Sequence, residues 1–161
     1  MLTPFRRALF QAFIVMLGIW TGAGVHDTLM NHFGWWADPV AHVRGRVFSP
    51  GIVNPWPFTT AIFGLLTLAG LASFARYKGE AKRALMIVFG GAFLVLLVTG
   101  VYFVPQLGLF GPDTPLSDAD IIRYSKDWIR YNAVRLVVLI ALFYYALSTL
   151  ARMSARRDAT V

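Results

Sequence analysis

The residues best equipped for chemistry fall into two groups. His26, His32 and His42 share one short stretch with Asp27 and Asp38. Imidazole and carboxylate together suit zinc, copper or iron, so His26, His32 and His42 are candidate metal ligands; solvated loop histidines are the plainer reading. Their spacing matches no ligand signature, and the remaining sequence supplies no obvious fourth ligand. The second group is Tyr124, Trp128, Tyr131 and Arg135, with Asn132 one turn before Arg135. Steps of four, three and four place them on one face of a helix. A guanidinium beside a carboxamide can stabilise an oxygen atom that gains negative charge during a reaction. The sequence has no cysteine, which removes thiolate metal sites, disulfides and cysteine nucleophiles. No nucleotide-binding loop, nucleophile elbow or HExxH motif is present. A core b-type haem lacks axial histidines within the apolar blocks.

The positioning elements follow from composition. Hydrophobic residues make up 57% of the chain and charged residues 14%, whereas a soluble domain carries about 25% charged residues. The apolar residues form four long blocks, predicting four transmembrane helices in a single domain over residues 1–161, with spans near 8–25, 58–75, 84–107 and 128–151. The expected fold is therefore an all-α four-transmembrane-helix bundle. The first block is longer than the apolar core of a signal peptide and has a poor cleavage site, so it is expected to be retained. Asn54-Pro55-Trp56-Pro57 opens the second span with a rigid turn. The short Lys78-Gly79-Glu80 link pairs spans two and three as an antiparallel hairpin. Ser117-Asp118-Ala119-Asp120 reads as a capping box with Asp in place of Glu, starting a fourth helix that continues to about Met153.

Charge sets the expected orientation. Arg6, Arg7, Arg76, Lys78, Lys82, Arg83, Arg152, Arg156 and Arg157 flank one side of the spans, against Glu80 and Asp158. On the other side, Arg44, Arg46, Arg123, Lys126, Arg130 and Arg135 are balanced by Asp27, Asp38, Asp113, Asp118, Asp120 and Asp127. The positive-inside rule makes the first side cytoplasmic, with both termini and a long first outer loop opposite them. In a Gram-negative bacterium the functional face would be periplasmic, in the inner membrane. The net charge of +7 is thus explained by topology, and nucleic acid is not an expected partner.

Depth sharpens the second group. Residues 136–151, between Arg135 and Arg152, rise about 24 Å as a helix, so a hydrocarbon core of roughly 30 Å puts Arg135 at its outer boundary. Either Arg135 and Asn132 turn into the bundle and pair there, or Arg135 snorkels to the headgroups among an ordinary aromatic belt. Trp35, Trp36, Trp56 and Trp128 gather at the same end, with Trp20 about two turns below His26. An aromatic lid over the bundle's mouth suits a flat, apolar ligand that partitions into the membrane.

Asn54-Pro55 with Phe58, Val98-Thr99 followed by Val104-Pro105, and Trp128, Asn132 and Arg135 occur in an order that resembles the anthrone oxygenase family, small four-span membrane proteins. The resemblance covers residues from about 50 to 150. Gln106-Leu107-Gly108 replaces an Asn that members often carry after Val-Pro, and the histidine-rich stretch is not a family pattern. The resemblance implies oxidation of a phenolic anthrone to a quinone by molecular oxygen without an organic cofactor; a copper or iron ion is the alternative. On chemical grounds Asn132 and Arg135 would then stabilise the oxyanion, and His26, at a similar membrane depth, is the candidate base. Trp20, Asn54, Trp56, Tyr102, Trp128 and Tyr131 then make up the substrate-binding set. Such a protein acts alone or as a homo-oligomer. The rival expectation is a non-enzymatic subunit that docks on a larger membrane complex through its aromatic surface. A transporter is disfavoured because no ionisable residue lies near the midplane of a span.

Overall fold

A computed structural model describes residues 2–45 and 55–158, with the side chains of 30–34, 55 and 156–158 excepted. The fold is all-α. Helix α1 spans Pro4–Ala37, α2 Pro39–Arg44, α3 Pro55–Ala75, α4 Lys82–Val98, α5 Val104–Leu109 and α6 Asp118–Asp158, with a π-helical turn at Thr99–Phe103 between α4 and α5. Four rods are long and apolar enough to cross a membrane: α1, α3, α6, and α4 with its continuation through α5. The chain is an integral membrane protein. Its exposed side chains fit lipid rather than water, with Phe58, Val101 and Tyr144 each more than two-thirds exposed.

Helix α1 continues well past Val25, where the apolar block ends. Loss of hydropathy marks where lipid ends, and nothing in residues 26–37 forbids helix. The rod stops where Asp38 precedes Pro39, since the proline ring disfavours helical geometry in the residue before it. Asp38 takes φ −142° and ψ 85° and caps α2, accepting a hydrogen bond from the Ala41 amide at 3.0 Å. Much of the expected outer loop is therefore helical, and Asp38 has a structural task. At the start of α6, Ser117 Oγ accepts from the Asp120 amide at 3.2 Å, the N-cap half of a capping box, and donates to the Asp120 carboxylate at 2.7 Å.

With 34 residues α1 is about 51 Å long, and with 41 residues α6 is about 61 Å, each well beyond a hydrocarbon core of roughly 30 Å. The excess carries a second core. The first core is built on Phe13, whose ring lies 4.4 Å from Phe89 and 5.5 Å from Phe63, with Phe74 on the far side of Phe89 at 5.4 Å. The second, at the distal end opposite the termini, gathers Trp35, Val43, Phe103, Phe110, Ile121 and Trp128. An exposed ion pair, Arg44 to Asp118 at 2.8 Å, ties α2 to α6 there. The hydroxyls of Thr21, Thr67, Thr99 and Thr149 donate to the carbonyl four residues back, as Thr67 does to Phe63 at 2.7 Å, so they bring no unsatisfied donor into lipid.

Candidate functional site

Between the two cores lies a cavity of about 580 Å3, inside the range of roughly 300–1,000 Å3 that small-molecule sites occupy. All four rods contribute. Helix α1 provides Trp20, Asp27 and Trp35, α2 provides His42, and α3 provides Trp56, Pro57 and Thr60. The third rod adds Thr99, Phe103, Val104 and Leu107, and α6 adds Trp128 and Arg135.

Arg135 turns inward and is the cation of this cavity among the described residues. Its Nη1 donates to Thr99 Oγ1 at 3.2 Å, and Nη2 donates to the Asn132 carboxamide oxygen. The guanidinium lies 4.4 Å from the Phe103 ring centre and 5.9 Å from that of Trp20. Its Nε is buried without a hydrogen-bond partner. Asp27 is near enough for its charge to act on the guanidinium across the cavity. A cation so held has lost most of its water, which strengthens its attraction for any oxygen that acquires charge in front of it.

The π turn explains the position of Thr99. The Val104 amide reaches back five residues to the Thr99 carbonyl, a wider ring than an α-helix makes. Pro105 lies one residue further, and in a regular helix its ring would clash with the carbonyl of Val101. The wide turn relieves that clash and keeps the rod unbroken. Thr99 also donates its hydroxyl proton to the Val95 carbonyl at 2.7 Å, so its lone pairs are left to face Arg135. Thr99→Val, which keeps the shape and removes the acceptor, is expected to weaken ligand binding about tenfold, the effect of about 1.4 kcal/mol for one lost charge-assisted bond. Thr99→Ser should restore it. Titrating the purified variants with a phenolic ligand checks both.

The structure divides the residues singled out in the sequence. Trp20, Trp56, Trp128 and Arg135 line the cavity. Asn132 is buried and lines a void of about 10 Å3 that shares Trp20, Trp56 and Arg135 with the cavity wall, and its carboxamide oxygen holds the guanidinium. His26 is exposed and absent from the cavity wall, because successive helical positions point about 100° apart and Asp27 takes the inward one. Asp27 and His42 are the carboxylate and imidazole that line the cavity among the described residues; the His42 ring packs on Trp35 at 5.2 Å. Tyr131 is 54% exposed and packs with Tyr102 at 5.3 Å, both outside the lining. The His32 side chain and all of Asn54 lie outside the described residues. Among the described residues no cluster of three or more potential metal ligands forms, and the side chain of His32, from the His26, His32 and His42 set, lies outside them.

Thr60 and Phe103 enter the site without a signal specific to it in the sequence, while Trp35 comes from the expected aromatic lid. Thr60 accepts a hydrogen bond from the Trp20 indole at 3.3 Å, fixing the ring against α3. No protein-family model matches the chain, and no curated protein or solved structure is significantly similar to it.

Proposed function

We propose that the chain is a membrane-embedded oxidoreductase that oxidises a small aromatic or quinol-like molecule with molecular oxygen, in the manner the anthrone oxygenase resemblance implies. The observation that carries this reading is Arg135, a desolvated guanidinium held by Thr99 and Asn132 at the wall of an aromatic cavity. An anthrone has an acidic C–H. Asp27 or His42 removes that proton, and the enolate oxygen is held by Arg135. The electron-rich enolate carbon combines with oxygen to give a hydroperoxide, which loses water to leave the ketone. One anthrone and one oxygen give one quinone and one water, so oxygen is the only oxidant required. Indole and phenyl walls bind the flat rings and exclude bulk water.

The charge asymmetry along the chain supports a cytoplasmic location for the termini and a periplasmic face, in a bacterial inner membrane, for the cavity. The purified protein in lipid vesicles, given a hydroxyanthrone, is expected to consume oxygen and form quinone in equal amounts. An oxygen electrode read alongside quinone absorbance measures the ratio. Uptake no faster than in empty vesicles rejects the enzymatic reading. If the protein instead elutes with a fixed heterologous partner and acquires activity only there, the subunit reading takes its place.

A further inference from the structure

The cavity is not closed equally on every side. Helix α1 packs along α6, and α2 packs on both. The seam between the third rod and α6 is filled by rings, with Tyr102 on Tyr131 at 5.3 Å and Phe103 on Trp128 at 5.6 Å. Among the described residues, helix α3 packs on α1 and α4 but makes little contact with the π turn or α5. At that gap the cavity wall is Pro57 and Thr60 from α3 and Val104 and Leu107 from α5. Pro57 is exposed and Val104 is 58% exposed, so these side chains face both the cavity and the outside of the bundle. None is charged, and their neighbours Phe58 and Val101 are among the most exposed apolar residues of the chain.

Depth identifies what lies outside the gap. Val104 is about 7.5 Å further along its rod than Thr99, which meets Arg135 at the edge of the hydrocarbon. The gap therefore sits at the junction of acyl chains and headgroups, where amphiphilic aromatic molecules concentrate. An opening for a charged ligand arriving from water would be expected to carry polar or charged groups at its rim.

Building on the oxyanion-binding role of Arg135, we infer that the cavity opens sideways into the bilayer between α3 and α5, and that its ligand is a phenol or enol bearing a hydrocarbon tail. The ring and its oxygen pass inward to Arg135. The tail stays among the lipids, threaded past Val104 and Leu107.

The chain has no cysteine, so Val104→Cys can be labelled at that position alone. The labelling is done on folded protein in phosphatidylcholine vesicles with a bulky apolar maleimide. Two probes are compared under nitrogen, so that binding is read without turnover: a naphthohydroquinone and the same ring with a decyl tail. Quenching of tryptophan fluorescence gives affinity per lipid. Both probes are expected to bind equally well to the unlabelled protein, and labelling should abolish binding of both. Binding of the tailless probe alone means an enclosed site and overturns the portal, as does unchanged binding after labelling. Arg135→Met should weaken both probes about a hundredfold while the label still blocks the gap. Equal binding by Arg135→Met with the block intact would reject the oxyanion role and the ligand class, and leave the lateral route standing.

Discussion

Arg135→Met is expected to lower turnover by about a hundred- to a thousandfold, the range seen when one donor to a developing oxyanion is removed, while the protein keeps its fold. Methionine matches much of the side chain's apolar length and removes the charge. In the bundle the guanidinium has two hydrogen bonds and two aromatic neighbours, yet its Nε has no partner and burial has removed much of its water. Replacing the ion with an apolar side chain ends its desolvation cost but removes the Arg135 donor from the buried Asn132 oxygen, which costs about 1–3 kcal/mol. The melting temperature in detergent should therefore fall only modestly while activity falls by orders of magnitude, a divergence that marks a residue kept for chemistry rather than for packing. Arg135→Lys should fall between the two, because one ammonium cannot reproduce the fork that reaches Thr99 and Asn132 together. Thermal unfolding and oxygen uptake measured on the same preparations separate the effects. A variant that loses stability and activity in parallel would make Arg135 a structural residue and remove the basis of the proposed site.

Much of the framework is legible in the sequence because lipid imposes it. A span must be about 20 apolar residues long, which makes four blocks into four rods, and Ser117 with Asp120 announces the start of the last one. Two of the three short motifs, each weak alone, prove to be spatial neighbours: Thr99 of the second joins Asn132 and Arg135 of the third in one hydrogen-bonded group, with Trp128 nearby in the cavity wall, while Asn54 of the first lies outside the described residues. The finer assignments fail where they depend on rotational phase. His26 and Asp27 are adjacent in sequence, and hydropathy cannot say which of them faces inward. The neighbours of Asn132 suggested an inward residue, which it is, but not that it would line a small void beside the cavity and not the cavity itself. The π turn has no residue signature beyond Pro105, although it sets where Thr99 and Phe103 point. Continuation of α1 to Ala37 was hidden because a helix leaving lipid becomes polar without ceasing to be helical.

Because the site sits between two cores, its width depends on packing some distance away, and Gly70 is where that dependence is tightest. A Cβ placed on Gly70 would lie 2.1 Å from Cε1 of Phe89. The Phe89 ring is fully buried, with Phe74 stacked at 5.4 Å, Phe13 at 4.4 Å and Phe10 at 5.9 Å, so it has nowhere to move. Glycine here lets α3 approach α4 closely, a common device between membrane helices, where dispersion and not water drives association. Gly70→Ala is expected to destabilise the bundle by about 1–3 kcal/mol, the usual penalty for overpacking a dense core, and Gly70→Leu to prevent assembly. Gly64 is on the same helix with nothing within 4 Å of its added Cβ, so Gly64→Ala should be neutral or slightly stabilising. The pair isolates contact from helix propensity. Since α3 is a rigid rod, moving it away from α4 at Gly70 also carries Thr60 and Trp56 outward, about 15 Å or more along the same helix. Gly70→Ala should therefore weaken ligand binding as well as lower the melting temperature, whereas Gly64→Ala should change neither. Equal melting temperatures for the two variants would mean that the phenylalanine cluster yields freely and that the α3–α4 spacing is not what fixes the site.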